Sequence, residues 1–265
     1  MPPEDDPLQP EIARVEEPQA DIPRLDFEPV PPAQNQREPF WNYTDLGLVI
    51  GMLVAGMVVI ILGAAAATLI WPKLQTDQTP LLLPTNLAMY LFLLLIFKLD
   101  FSSRYHRPVL PSLGWRMPEP RALVYALAAG AALPFAISGI SVLLRTPKVT
   151  TKMDELISSV PIVPLVIMAA VLAPFFEELF FRGFLQPLLT RTFGVVIGVF
   201  ITGAIFGGVH AVEYSFVWQY VVAISVVGWA LGAMRVWANS IVPTTIMHAC
   251  FNGLQVIAFA VSKHK

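Results

Sequence analysis

Charged residues are scarce in this sequence of 265 residues: only 14% are Asp, Glu, Lys or Arg, whereas 55% are hydrophobic. An average soluble domain carries about 25% charged residues, so the composition excludes an ordinary soluble globular protein. The single cysteine excludes an intramolecular disulfide. The sequence also lacks a basic amino-terminal segment followed by an apolar run, so we expect no signal peptide.

The first 40 residues differ from the rest of the chain. They contain ten Asp or Glu, three Arg and ten of the 24 prolines, with few aliphatic side chains. Such a segment cannot bury enough apolar surface to offset the entropy lost on ordering. We therefore predict a disordered, acidic, proline-rich tail over residues 1–40, which is either simply solvated or binds a partner.

Largely uncharged runs follow, close to the length of about 20 residues that a helix needs to cross a bilayer. They are predicted at Leu46–Trp71, Leu81–Phe97, Ala122–Leu144, Leu156–Phe176, Phe193–Val212, Tyr214–Met234 and Val236–Ser262. A further helix is expected at Phe175–Thr190, after a break at Pro174. The predicted fold class is all-α, a polytopic transmembrane bundle of about seven to eight helices.

Basic residues cluster between the second and third predicted spans. This segment contains Lys98, Arg104, Arg107, Arg116 and Arg121 against Asp100 and Glu119. An excess of Lys and Arg marks cytoplasmic segments of membrane proteins. We therefore expect this segment and the N-terminal tail in the cytoplasm, in a multi-pass protein of the plasma (inner) membrane.

Two adjacent carboxylates and an arginine, Glu177, Glu178 and Arg182, interrupt the apolar sequence at the end of the fourth predicted span. An ionisable group at membrane depth costs about 2.5–3.5 kcal/mol, so a cluster of them indicates a functional site. Glu178 and Arg182 are four residues apart and are predicted to form a salt bridge within one helix. Glu177 is turned about 100° away and becomes the candidate general base.

Two later spans carry similar pairs, Phe206 with His210 and His248 with Asn252, each four residues apart on one helical face. A single histidine at this depth would more simply bond two helices together. Polar groups within a bilayer face the bundle interior and each other, so the whole set is expected to meet there. If the chain folds back at Gly194, Glu177 and His210 lie level.

The chemistry of this set leaves two routes open. Glu177, His210 and His248 have the residue types of a catalytic His₂Glu zinc site. Without a metal, Glu177 steered by His210 would deprotonate a water while His248 and Asn252 donate hydrogen bonds to the oxyanion. Both routes hydrolyse an acyl bond, so the cofactor is either none or zinc.

Other candidates are weaker, because the sequence has no His-Glu-x-x-His and no Gly-x-Ser-x-Gly motif. Cys250 is predicted to be a small packing residue, and Glu213 an interfacial surface charge. Gly207-Gly208 either lets another backbone approach the site or serves helix packing. We also expect the fifth span to continue past His210, so that His210 can meet His248.

At these residues the sequence resembles the CPBP family, the CaaX-prenyl-protease type II and bacteriocin-processing (Abi) intramembrane proteases. The resemblance rests on Glu177-Glu178-x-x-x-Arg182-Gly183, Phe206-x-x-x-His210 and His248-x-x-x-Asn252, and covers about residues 156–262. It implies an intramembrane endopeptidase with N-terminal helices over residues 41–155 and a catalytic core over residues 156–265.

By the same resemblance, Glu177 assisted by His210 would activate water, and His248 and Asn252 would stabilise the oxyanion. Glu178 and Arg182 would support the site, and Phe206 and Phe181 would contact substrate or pack beside it. The implied activity is either CaaX-type processing of prenylated C-termini or maturation of bacterial peptides. The implied partners are a peptide or protein substrate and the lipid bilayer, with no nucleic acid. The alternatives are a non-catalytic membrane scaffold and a proton or solute pathway.

Overall fold

The computed structural model describes residues 39–76, 79–150 and 152–263, and over those ranges the regular secondary structure is helical, without strands. Most of the tail predicted at residues 1–40 lies outside the described residues. Pro39, near the end of this tail, is described, and its carbonyl oxygen accepts a hydrogen bond from Arg191 Nη1 at 2.8 Å. The all-α fold class predicted from the sequence is confirmed.

Seven helical runs in the described ranges are long and apolar enough to cross a membrane. We number them as spans 1 to 7: Tyr43–Ile70, Pro80–Arg104, Pro120–Leu143, Ile162–Phe193, Val195–Val212, Trp218–Ala238 and Ile241–Phe259. Short helices lie between them at Lys73–Thr76, Val109–Ser112 and Lys152–Ser159. The helix of span 2 begins at Thr79 and ends with a π-helical turn, Asp100–Arg104, and the helix of span 7 continues to Lys263.

The fourth span differs from the prediction at both ends. Its predicted start, Leu156, lies in the separate helix Lys152–Ser159, and span 4 begins after Pro161. Proline lacks an N–H and restricts the residue before it, which separates the two helices. The predicted break at Pro174 is wrong, since helical residues run without interruption from Ile162 to Phe193.

Span 4 accommodates its prolines and polar residues by changing helix type along its length. It consists of Ile162–Val166, the π-helical segment Ile167–Leu172, Ala173–Glu178, the π-helical segment Leu179–Leu185 and Gln186–Phe193. A π-turn is wider than an α-turn and is frequent at functional sites. The two π-helical segments lie on either side of the adjacent glutamates.

Burial is reversed relative to a soluble protein. Large apolar side chains such as Leu62, Leu69 and Val196 cover the outside of the bundle, with exposed fractions of 63%, 78% and 82%. Polar side chains lie inside, including Glu178 and Arg182 at 0% and His248 at 3%. This distribution suits a bundle surrounded by lipid, in which polar groups must find partners in the interior.

Spans 5 and 6 pack so closely that their contact requires glycine. A Cβ added at Gly228 would lie 2.8 Å from the Cα of Gly203, and one added at Gly203 would lie 2.9 Å from the backbone nitrogen of Trp229. A Cβ added at Gly207 would likewise collide with Ser225, whereas a Cβ added at Gly208 would meet open space. Of the two roles considered for Gly207-Gly208, the structure supports helix packing for Gly207.

Cys250 packs where spans 3 and 7 meet. A Cβ added at Gly130 would lie 2.8 Å from Cys250 Cβ. The thiol lies 3.7 Å from the carbonyl oxygen of Leu127 on span 3. Cys250 therefore has the small-residue packing role predicted for it.

Candidate active site

The core of the site is a buried three-residue network centred on Glu178. Its Oε1 accepts a hydrogen bond from Arg182 Nη1 at 2.7 Å and another from His248 Nδ1 at 3.0 Å. The salt bridge between Glu178 and Arg182 predicted from their spacing is therefore present, with both side chains fully buried. The bond to His248 joins span 4 to span 7.

Arg182 makes further contacts that hold it in the bundle. Its Nη2 donates to the carbonyl oxygen of Gly228 at 3.0 Å, and its guanidinium carbon lies 4.5 Å from the ring centre of Phe206. Phe206 also packs edge-on against Phe181, with ring centres 5.0 Å apart. Both phenylalanines predicted for substrate contact or packing pack here, and each also lines a space described below, Phe206 the cavity and Phe181 a second, apolar one.

Glu177 lies beside both histidines. Its Oε2 is 3.8 Å from His210 Nε2 and 3.9 Å from His248 Nε2. Both separations are short enough for one water molecule, with hydrogen bonds of about 2.8 Å, to bridge Glu177 and either histidine. Glu177 Oε2 is buried and has no hydrogen-bond partner among the described residues.

The hydrogen bonds of the two imidazoles determine which nitrogen faces Glu177. His210 Nδ1 lies 2.7 Å from the carbonyl oxygen of Phe206, which can only accept, so Nδ1 carries the proton. His248 Nδ1 faces the Glu178 carboxylate and carries a proton for the same reason. Both Nε2 atoms are therefore directed towards Glu177.

Span 5 continues past His210, as expected, but only by a short 3₁₀ turn. The α-helix ends at Val209, and a 3₁₀ turn covers His210–Val212. Tight 3₁₀ turns are common at helix ends, and here the bond from His210 Nδ1 to Phe206 closes the last turn. Span 6 begins only at Trp218, so a connecting segment of several residues follows the site.

A cavity of about 340 Å³ opens at these residues. Its walls include Glu177, Phe206, His210, His248 and Asn252, and also Asn86 and Tyr90 from span 2. The predicted core, residues 156–265, therefore does not form the cavity alone. Glu178 and Arg182 do not line it, which agrees with a supporting position behind the groups that face the cavity.

Asn252 binds one of the π-helical segments of span 4. Its Nδ2 donates to the carbonyl oxygen of Ala169 at 2.8 Å. The amide has a second N–H, and the side chain lines the cavity, so one donor remains available there. Asn252 thus positions span 4 as well as facing the cavity.

Three residues that support the site were missed from the sequence. Gln186, 2% exposed, donates from Nε2 to Gly232 O at 3.1 Å, one turn beyond the Arg182 contact with Gly228. Trp41 Nε1 donates to Phe184 O at 3.0 Å, within the second π-helical segment. Arg235 Nε donates to Arg182 O at 3.3 Å. Gln186 had a signal, a polar residue four positions after Arg182 in an apolar run, whereas Trp41 and Arg235 had none.

Glu213 is part of the cavity wall, although it also keeps an exposed surface. Burial of its carboxyl group among surrounding protein atoms raises its pKa, the neighbouring His210 opposes this shift, and Glu177 adds to it. The prediction of a simple interfacial charge is therefore incomplete. Glu213 is a second glutamate at the cavity, beyond the end of span 5.

Glu177, His210 and His248 are residue types that bind zinc, but their side chains are not placed as zinc ligands. Two donor atoms about 2.1 Å from a tetrahedral zinc ion lie roughly 3.4 Å apart. Both distances from Glu177 to the histidines are longer, at 3.8 and 3.9 Å. In the part of the chain that the structure describes, no group of three or more His, Cys, Asp or Glu side chains is arranged to hold a metal ion. The arrangement does not fit zinc, and no step below is routed through a metal.

Together, the fold and the site define a polytopic helical membrane protein with a cavity lined by a glutamate, two histidines and an asparagine. Residues 159–254 match the model of the family described as type II CAAX prenyl endopeptidase Rce1-like. The match confirms the family resemblance over these residues and supports an intramembrane protease in general. Comparison with curated proteins and with solved structures gave no match.

Proposed function

We propose that this protein is an intramembrane endopeptidase in which Glu177 activates a water molecule to hydrolyse a peptide bond. One observation carries the proposal: Glu177 Oε2 lies 3.8 and 3.9 Å from the Nε2 atoms of His210 and His248 at the wall of a cavity. The match to a protease family over residues 159–254 supports the same activity.

The distances favour a water between these groups. They exceed the length of a direct hydrogen bond, yet one water can lie about 2.8 Å from both Glu177 and an imidazole. Such a water donates one hydrogen to Glu177 Oε2 and the other to a histidine Nε2. His210 Nε2 is oriented to accept, because its Nδ1 already donates to Phe206 O.

The reaction then needs only these groups. Glu177 takes a proton from the water, and the hydroxide oxygen bonds to the carbonyl carbon of the substrate. When the carbon–nitrogen bond breaks, the proton moves from Glu177 to the leaving nitrogen. The same carboxyl group thus serves first as base and then as acid.

The oxyanion requires hydrogen-bond donors, and we assign this role to Asn252 and His248. Asn252 has one free N–H towards the cavity. His248 can donate from Nε2 only when both ring nitrogens carry protons. Glu178 Oε1, 3.0 Å from Nδ1, holds the ring in place, and the His248 side chain lines the cavity. The two donors together would stabilise the tetrahedral intermediate.

We propose a peptide substrate that reaches the cavity from the membrane. Prenylated C-termini are the first class to test, because the matching family is described as a prenyl endopeptidase family. The proposed catalytic core is residues 156–265, with the tail and the basic segment between spans 2 and 3 in the cytoplasm of a plasma (inner) membrane protein.

The test is cleavage of prenylated and plain C-terminal peptides by purified protein in detergent, followed by mass spectrometry. Wild type, Glu177→Gln and the exposed control Glu119→Gln are compared, each with and without a chelator. We expect cleavage by wild type and the control, loss with Glu177→Gln, and no effect of the chelator. Loss with chelator and rescue by zinc would replace the proposal with a metalloenzyme. Cleavage by Glu177→Gln would contradict the role of Glu177 as the base. Absence of cleavage by every variant, wild type included, would contradict the proposal and favour the scaffold.

A further inference from the structure

A second space, which we call the lateral groove, lies beside the cavity. It has a volume of about 300 Å³ and lies between spans 1, 2 and 4. Its walls are apolar apart from two residues, and consist of Leu53, Val54, Met57, Met89, Leu93, Phe176, Phe180 and Phe181 with Tyr90 and Glu177. Val54 and Met57 are about half exposed, at 50% and 46%, on the outer face of span 1. The groove therefore reaches from the lipid-facing surface to the candidate base.

Tyr90 and Glu177 line both the lateral groove and the cavity. The ring of Tyr90 is stacked on Phe176, with ring centres 4.6 Å apart and planes 2° from parallel. Phe176 is 4% exposed and directly precedes Glu177, so the stack holds the phenol ring beside the candidate base. Tyr90 is thus a partition between a polar and an apolar space.

The contents of the two spaces follow from their linings. The cavity, with its imidazoles and amide, suits the peptide bond that reacts. The lateral groove has no polar lining other than the two shared residues, so it suits an apolar group. Because it ends at Glu177, a group held there must be attached close to the reacting bond.

We propose that Tyr90 is a specificity-determining residue that limits the size of the apolar side chain accepted next to the reacting bond. The inference rests on the proposed function, because it assigns the lateral groove to the substrate of the same site. With the ring in place, the passage between the two spaces is narrowed, and a large side chain in the groove meets the phenol. Removal of the ring joins the spaces and admits larger groups.

The experiment compares Tyr90→Ala, Tyr90→Phe and wild type on peptides that differ only in one side chain beside the cleaved bond: Ala, Leu, Phe and Trp. Tyr90→Phe keeps the stack on Phe176 and loses only the hydroxyl. Tyr125→Ala is the matched control, since Tyr125 is 56% exposed on span 3 and lines neither space. Melting temperatures of all variants are measured to confirm that they are folded.

The measured quantity is kcat/KM for the Trp peptide divided by kcat/KM for the Ala peptide. We expect Tyr90→Ala to raise this ratio about tenfold, a size of effect typical of apolar pockets. Tyr90→Phe and Tyr125→Ala should keep the wild-type ratio. An unchanged ratio in Tyr90→Ala overturns the proposal. An equal change in Tyr90→Phe also overturns it, because the hydroxyl rather than the partition would then be responsible.

A binding measurement separates this inference from the proposed function. In the Glu177→Gln background, fluorescently labelled peptides of the same series are titrated by anisotropy against each Tyr90 variant. A Tyr90→Ala shift in binding preference towards the Trp peptide supports the partition even if no peptide is cleaved. Absence of a size-dependent shift in binding counts against it. Equal displacement of all peptides by free fatty acid also counts against it, because the groove would then hold a lipid chain rather than a substrate side chain.

Discussion

Glu178 Oε1 accepts a hydrogen bond from His248 Nδ1 at 3.0 Å, although the two residues are 70 positions apart. The same oxygen also binds Arg182 Nη1. This contact orients His248 so that its other nitrogen faces Glu177. The second of the adjacent glutamates therefore acts as a support that turns a histidine towards the first.

Loss of the Glu178 carboxylate should destabilise the protein strongly. Glu178→Gln leaves the buried Arg182 charge without a counter-charge, which costs about 3–5 kcal/mol when a buried pair is broken. The matched control is Glu119→Gln, because Glu119 pairs with Arg121 and both side chains are largely exposed, at 68% and 70%. That change should cost less than about 1 kcal/mol.

Unfolding in mixed micelles with increasing sodium dodecyl sulfate measures the free energy of unfolding of both variants. Equal losses for the two variants would show that the buried pair contributes no more than the surface pair.

Removal of the Trp41 indole N–H should weaken the second π-helical segment of span 4. Trp41→Phe keeps an aromatic ring near Phe184 and Phe101 but leaves the Phe184 carbonyl without its partner. A buried polar group left unsatisfied costs about 1–3 kcal/mol. We expect a lower melting temperature and a lower kcat, because Phe184 is only two residues from Arg182.

Trp71→Phe is the control for this change, since Trp71 is 59% exposed. It should leave both quantities near wild type. Were Trp41→Phe to match that control, the indole bond would have no positioning role.

Close packing between spans 5 and 6 predicts opposite outcomes at two glycines of one helix. Gly203→Ala places a methyl group against the backbone and ring of Trp229 and should cost about 1–3 kcal/mol. Gly208→Ala meets open space and should be neutral or stabilising by up to roughly 1 kcal/mol, because alanine favours helix. Melting temperatures of the two variants, measured side by side, check this. Similar values would indicate that the spans separate easily.

The raised pKa of Glu213 predicts a dependence of stability on pH. Its folded-state pKa lies above the unfolded value, so its stabilising contribution is complete below the unfolded pKa of about 4.3 and is lost as pH rises through the folded pKa. Glu213→Gln cannot ionise and does not lose this contribution. The difference in melting temperature, Glu213→Gln minus wild type, should therefore increase as pH rises from about 4 to 7.

The same measurement on Glu119→Gln, which removes an exposed carboxylate, should show no such gain. A constant difference between Glu213→Gln and wild type across this range would contradict the burial of the Glu213 carboxyl group.

Most of the fold could be predicted from the sequence because membrane spans depend on length and apolarity, which are local properties. The predicted spans and those of the structure overlap throughout, and the main errors lie around Pro161 and Pro174. A proline in a sequence predicts a break, but a wider helical turn can absorb it, as in Ile167–Leu172. Which of the two occurs depends on packing around the helix rather than on the proline alone.

The sequence by itself determined the all-α class, the approximate positions of the seven apolar spans and the pair of Glu178 with Arg182. These follow from helix geometry, since residues four apart share one face. The tertiary structure decided the bond between Glu178 and His248, the hydrogen bonds to the carbonyl groups of the π-helical segments and the position of Tyr90 beside Glu177. Those contacts join residues from different spans, and their formation depends on how the helices pack, which no local pattern specifies.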